Sequence, residues 1–168
     1  YDINKYKMGV AMLLTTRGFP QIYAGDEIML DGIPGNYEGY RFDFPGGWKE
    51  DSRSAFTQEG RTPKENEVFN YMRKILNYRK QNTALQTGKM KQFIPYDGIY
   101  LFSRYDQSKT IVMIFNNNEQ AKVVSLERYK EVFANYTNGT EITTEKQIDL
   151  TQYITIPAKT AWIIELNK

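Results

Sequence analysis

Hydrophobic and polar positions divide this chain into three regimes. Over residues 1–16, Tyr6, Val10, Leu13 and Leu14 recur at helical spacing, and Met8, Ala11 and Met12 widen the apolar surface, so the pattern predicts an amphipathic, largely buried helix. Arg17 and Gly18 stop it. Residues 19–24 then alternate, with Phe19, Gln21 and Tyr23 against Pro20, Ile22 and Ala24, which predicts a short strand running into Gly25, Asp26 and Glu27. From Gly25 to Arg61 no period holds, and so long an irregular stretch in a compact fold is usually functional. Thr62, Pro63 and Glu65 predict a helix start with a capping box, and Val68, Phe69, Met72, Ile75, Leu76 and Arg79 carry its inward stripe toward an end near Asn82.

Beyond Ala84 the period becomes two. Strands are predicted over 89–94, 99–105, 110–116, 121–124, 132–136, 141–148 and 161–166, with one helical turn at 125–129. Asp97-Gly98, Asp106 to Ser108, Asn117-Asn118 and Asn138-Gly139 are the turn signals between them. The expected fold class is α+β: helix, strand, long loop and helix, then an all-β antiparallel sandwich. The expected division is 1–84 and 85–168.

Composition narrows the chemistry. The 168 residues carry 22 Lys+Arg against 20 Asp+Glu, a net charge of +2, and no basic run dense enough for nucleic acid. His 0 and Cys 0 remove imidazole bases, Ser and Cys triads, thiolate sites and most zinc chemistry from this chain. No alternating acidic calcium loop is present, so no metal and no cofactor is expected. No stretch approaches the roughly 20 apolar residues of a membrane span. The chain opens on Tyr1 inside a periodic segment, which reads as the carboxyl-terminal piece of something longer.

The irregular segment is where binding chemistry concentrates. Its glycines and prolines set fixed points, and Tyr37, Tyr40, Phe42, Phe44 and Trp48 lie between them, beside carboxylates and Arg41. Aromatic faces next to charged hydrogen-bonding groups suit sugar rings, which stack through C–H and bond through hydroxyls. The structural alternatives are equally concrete. Asp26 and Glu27 can serve only to cap the loop, Arg41 can simply pair with Asp43, and Phe42, Phe44 and Trp48 can pack the loop down.

The segments GFPQIYAGDEI and YRFDFPGGW resemble the last barrel strand and following loop of the α-amylase family, glycoside hydrolase family 13, in particular neopullulanases and cyclomaltodextrinases. The resemblance implies that residues 1–84 are the end of a (β/α)8 barrel (helix 7, strand 8, helix 8) and residues 85–168 the carboxyl-terminal β-sandwich domain. It implies a retaining α-glucan hydrolase acting on maltodextrin, cyclodextrin or pullulan, with its three catalytic carboxylates upstream of Tyr1, so no catalytic residue lies here and the segment alone should be inactive. The family often places an aspartate four residues before an arginine that contacts sugar. Here the arginine is Arg41 but the earlier position is Tyr37, so a stacking contact is expected where relatives hydrogen-bond. Arg41, Tyr37, Asp26 and Glu27 are the substrate-binding candidates. The implied partners are an α-glucan oligosaccharide and the remainder of the barrel, or another chain covering residues 19–24. A stand-alone carbohydrate-binding or structural β-module and part of a glucan transglycosylase are the alternatives. The resemblance is compatible with periplasmic or secreted starch-degrading systems, although no residue encodes a location.

Overall fold

A computed structural model describes residues 2–32 and 42–167. Its chain falls into two compact units, Tyr1–Pro20 with Lys74–Lys168, and Gln21–Arg73.

The first unit holds most of the regular structure. Helix α1, Ile3–Thr15, starts at Asp2, whose carboxylate accepts from the Asn4 and Lys5 amides at 2.9 and 3.3 Å, and it buries Val10, Ala11 and Leu14. Leu13, expected on the same stripe, is 40% exposed. Helix α2, Pro63–Gln81, runs from the second unit into the first and is followed by the single turn α3, Thr83–Gln86.

Eight antiparallel strands follow: β1 Lys89–Gln92, β2 Ile99–Tyr105, β3 Thr110–Asn116, β4 Lys122–Ser125, β5 Asn138–Glu141, β6 Lys146–Asp149, β7 Tyr153–Ile156 and β8 Thr160–Asn167. They form a six-stranded sheet in the order β1-β2-β3-β8-β5-β6 and a separate β4-β7 pair, a sandwich-like arrangement. Asp97 and Gly98, at φ 50° and 71°, turn β1 toward β2 with Tyr96 and Ile99 bridged across them, a two-residue turn whose positive φ angles match the twist of the strands.

Alternation puts Leu101, Val112, Ile114, Ile164 and Leu166 on one face of the large sheet, against Val124, Ile154 and Ile156 of the small one and Leu126, Tyr129 and Phe133. Phe102, Ile111, Met113 and Ile163 occupy the opposite face and are also fully buried. Helix α1 packs against β8, and Tyr78 of α2 donates to Glu165 of the same strand. Two covered faces explain why β3 reads TIVMIFN, apolar almost throughout instead of alternating.

One fully buried charged residue lies in that second face. Arg104, in β2, is fully buried, and its guanidinium donates to the carbonyls of Thr15, Thr16, Gln86 and Gly88 at 3.0–3.4 Å. Arg79 adds bonds to Leu14, Gly18 and Leu85 at 3.0, 3.0 and 2.6 Å. The carbonyls at a helix C-terminus lack intrahelical donors and carry partial negative charge, so two cations there satisfy the ends of α1 and α3 together. Burial, and then the neighbouring Arg79 and Arg17, push the Arg104 guanidinium below its usual range.

Four expectations need correction. Residues 19–24 pair with no strand among the described residues, and a parallel strand forms only where neighbours bond it. Residues 132–136 are not a strand: a 3-10 turn, Leu126–Tyr129, passes into α4, Lys130–Phe133, and Tyr129, Val132 and Phe133 follow helical spacing. The expected strand 141–148 is the hairpin of β5 and β6. The Glu141 carboxylate shapes its turn by accepting from the Thr144 amide at 2.8 Å and the Thr143 and Thr144 hydroxyls at 2.9 and 2.7 Å. Asn138-Gly139 is therefore inside β5, where a Cβ on Gly139 would meet Ile164 Cγ2 at 2.6 Å and the Glu165 carbonyl at 2.8 Å. Strand β7 was not among the expected strands, although Tyr153, Ile154, Thr155 and Ile156 alternate exposed and buried.

Candidate glucan-contact loop

The second unit is built on local hydrogen bonds. Asp26 and Glu27 open a 3-10 turn, Asp26–Ile28, and both carboxylates fold back on it: Asp26 Oδ2 accepts from the Tyr23 amide and Glu27 Oε2 from the Gly25 amide, each at 2.8 Å. Ile28 beneath them is 2% exposed. These bonds order the start of the loop. Tyr37 and Arg41 lie outside the described residues.

Residues 42–61 form the rest of the loop. Asp51 Oδ2 accepts from the Gly46 amide at 2.7 Å and the Trp48 amide at 3.1 Å, which closes the Gly46-Gly47-Trp48 turn. The Trp48 amide first, then Gly46, holds this carboxyl below its ordinary value of 3.8. Phe44 and Phe56 pack with ring centroids 4.5 Å apart. Trp48 and Phe56, by contrast, are 63% and 65% exposed, and Phe42 is 47% exposed. Of the three aromatics expected to pack the loop, Phe44 stacks on a neighbouring ring while Phe42 and Trp48 face outward. An open aromatic face beside backbone polar groups is a surface that can stack on a sugar ring.

The capping box at the start of α2 fastens the far end of the loop. The Thr62 amide donates to Glu65 Oε2 at 2.7 Å, and the Glu65 amide to Thr62 Oγ1 at 3.2 Å. Glu65 also binds Arg53 through two bonds of 2.7 and 2.8 Å, which sequence reading did not anticipate. Burial raises the Glu65 pKa, but Arg53 and Thr62 outweigh it and leave the group below its ordinary 4.5. Arg61, almost buried, donates to the Ala55 carbonyl at 2.9 Å and Asn66 Oδ1 at 2.8 Å, with its guanidinium 3.9 Å from the centre of the Phe69 ring. Among the described residues no cluster of acidic side chains could hold a metal, and no helix is long and apolar enough to cross a membrane.

Residues 90–165 match the family model of the cyclo-malto-dextrinase C-terminal domain. Over that stretch the chain resembles the C-terminal domain of cyclomaltodextrinases. It is 26% identical over 125 residues to the cyclomaltodextrinase of Thermoanaerobacter pseudethanolicus, covering 74% of this chain and 19% of that protein. Its identity to the maltogenic α-amylase of Bacillus acidopullulyticus is 27% over 124 residues, 71% of this chain and 19% of that protein. The fold is shared with the α-amylase of Geobacillus thermoleovorans, solved with acarbose: TM-score 0.71, 20% identity, 99% of this chain and 34% of that one. The chain thus spans about a fifth of the curated α-amylase-family relatives it matches.

Proposed function

We propose that this chain is the carboxyl-terminal part of an α-glucan-hydrolysing glycosidase acting on maltodextrin, cyclodextrin or pullulan. Residues 1–84 then complete a (β/α)8 barrel as helix 7, strand 8 and helix 8, and residues 85–168 form its β-sandwich domain. The carrying observation is that the alignment to a cyclomaltodextrinase runs over 125 residues, longer than the β-domain match at 90–165. A stand-alone β-module has no use for that additional similarity. Residues 19–23, which carry no ladder among the described residues, also suit a barrel strand whose neighbours belong to the rest of the barrel.

In this reading the parent catalyses retaining hydrolysis through two carboxyl groups that lie upstream, one forming a glycosyl intermediate and the other acting as acid and then base. The 168 residues alone are inactive. Their share is the rim loop: Asp26 and Glu27 order its start, Arg41 donates to sugar hydroxyls, and Tyr37 stacks beside it. The same scaffold serves transglycosylation where water is excluded from the intermediate.

Arg41→Ala in the parent enzyme tests the assignment. Loss of a charged donor to substrate should lower kcat/KM on maltoheptaose about tenfold or more, with an unchanged melting temperature. Unchanged kinetics would return Arg41 to a purely structural role.

A further inference from the structure

The β-domain carries a cleft of about 480 Å³ that the rim-loop reading leaves unused. It opens between the end of the β4-β7 pair and the helical turns Leu126–Tyr129 and Lys130–Phe133, and all of its lining belongs to the first unit. Leu126, Phe133 and Leu150, each at most 4% exposed, form an apolar floor. Thr137, Thr151 and Gln152 supply neutral hydroxyl and amide groups around it. Tyr153, 61% exposed although it sits in a strand, stands at the edge.

Charge at the cleft is balanced. Glu127 and Lys130 are its charged lining residues, and they pair with each other at 2.9 Å. A site for phosphate or an acidic peptide would leave cation unpaired, and one for a basic ligand would leave carboxylate unpaired. A neutral polyhydroxylated ligand needs neither. It needs an apolar surface for its C–H face, an aromatic ring to stack on, and side chains that both donate and accept. The cleft offers all three, and its volume lies within the range of about 300–1,000 Å³ usual for small-ligand sites. Its single carboxylate excludes the paired acid and base of glycoside cleavage, so the site binds without reacting.

We propose that this cleft is a second, non-catalytic contact for α-glucan chains, with Tyr153 as its stacking platform. The choice of glucan rests on the family reading of the preceding section; the neutral, hydroxyl-rich class of ligand rests on the cleft itself. A tyrosine ring gives a large contact area at low conformational cost, which suits a shallow, open site. The site would hold a chain to the enzyme while its reacting end lies elsewhere, raising the local concentration of substrate by tethering.

The test is titration of the isotopically labelled 168-residue chain with maltoheptaose, followed by amide NMR shifts. Saturable shifts are expected at Ser125, Thr137, Thr151 and Tyr153. Tyr153→Ala should weaken them about tenfold or more, and Tyr153→Phe, which keeps the ring, should stay within about threefold. No shift at these amides near saturation, or shifts indifferent to Tyr153→Ala, overturns the proposal. Shifts confined to residues 42–61 also overturn it while leaving the rim-loop reading intact. Tighter binding of inorganic phosphate than of maltoheptaose at the same amides rejects the neutral-ligand assignment. Failure of the Arg41→Ala kinetics, measured in the parent, bears only on the rim loop.

Discussion

The β-sheets and residues 42–61 satisfy their backbones in opposite ways. Strands β2, β3 and β8 lie in a sheet buried on both faces, so long-range ladders and apolar contacts hold them. Residues 42–61 lean on bonds reaching only a few positions along the chain, such as Asp51 to Gly46, and leave Phe42, Trp48 and Phe56 open. Rigidity in one region comes from burial and in the other from side chains bonded to nearby backbone. A scaffold whose contacts are internal tolerates change at its surface, whereas a loop whose apolar rings face outward is free to meet a ligand or another part of the protein.

The sharpest way to break this contrast is to attack the buried charge. Arg104→Ala removes four bonds and strands the carbonyls of Thr15, Thr16, Gln86 and Gly88. Urea unfolding should show a loss of about 3–5 kcal/mol, and a loss below about 1 kcal/mol would mean that water replaces the guanidinium at little cost.

Acid probes the loop more gently. The folded-state pKa of Glu65 lies below its ordinary 4.5, so its bonds to Arg53 and Thr62 contribute in full above that value and fade as pH falls through the lower, folded one. Amide exchange at residues 60–66 should therefore accelerate in that window before exchange in β3 does. Glu65→Gln should cost about 1–2 kcal/mol at neutral pH and abolish the pH dependence. Simultaneous acceleration in β3 would show that the two regions open as one. The smallest effect is expected at Trp48: Trp48→Ser should change stability by no more than about 0.5 kcal/mol, as for an open surface position. A larger loss in thermal unfolding would reveal that the ring already has a structural partner.

Legibility followed the range of the interactions. The capping box of Thr62 and Glu65 is written in four consecutive residues and is formed as expected. Strands β2 and β3 follow from their β-branched and aromatic runs, with bounds as expected. Asn138-Gly139 misled because Asn-Gly is a turn signal by local chemistry, whereas here glycine serves the close approach of β8. The pair Val132 and Phe133 invites a strand until Leu126 and Tyr129 are included and the spacing becomes helical. Residues 19–24 alternate as a strand should, but pairing needs partners that local sequence cannot supply. At the candidate site, the roles of Asp51, Arg53 and Arg61 depended on which amide, carbonyl or carboxylate came near, and spacing alone does not encode that.

Arg104 and Arg79 bind carbonyl oxygens, which every residue type possesses. The carbonyls of Thr16 and Gln86 would therefore stay available if those two side chains changed, provided that helix ends stay where they are. The arginines have no such latitude, since a lysine offers one point charge where a planar fork must reach the ends of two helices. The junction of helix and sheet thus has one side tied to residue identity and the other tied only to the path of the chain, so substitutions there would accumulate without any covarying pair to betray the contact.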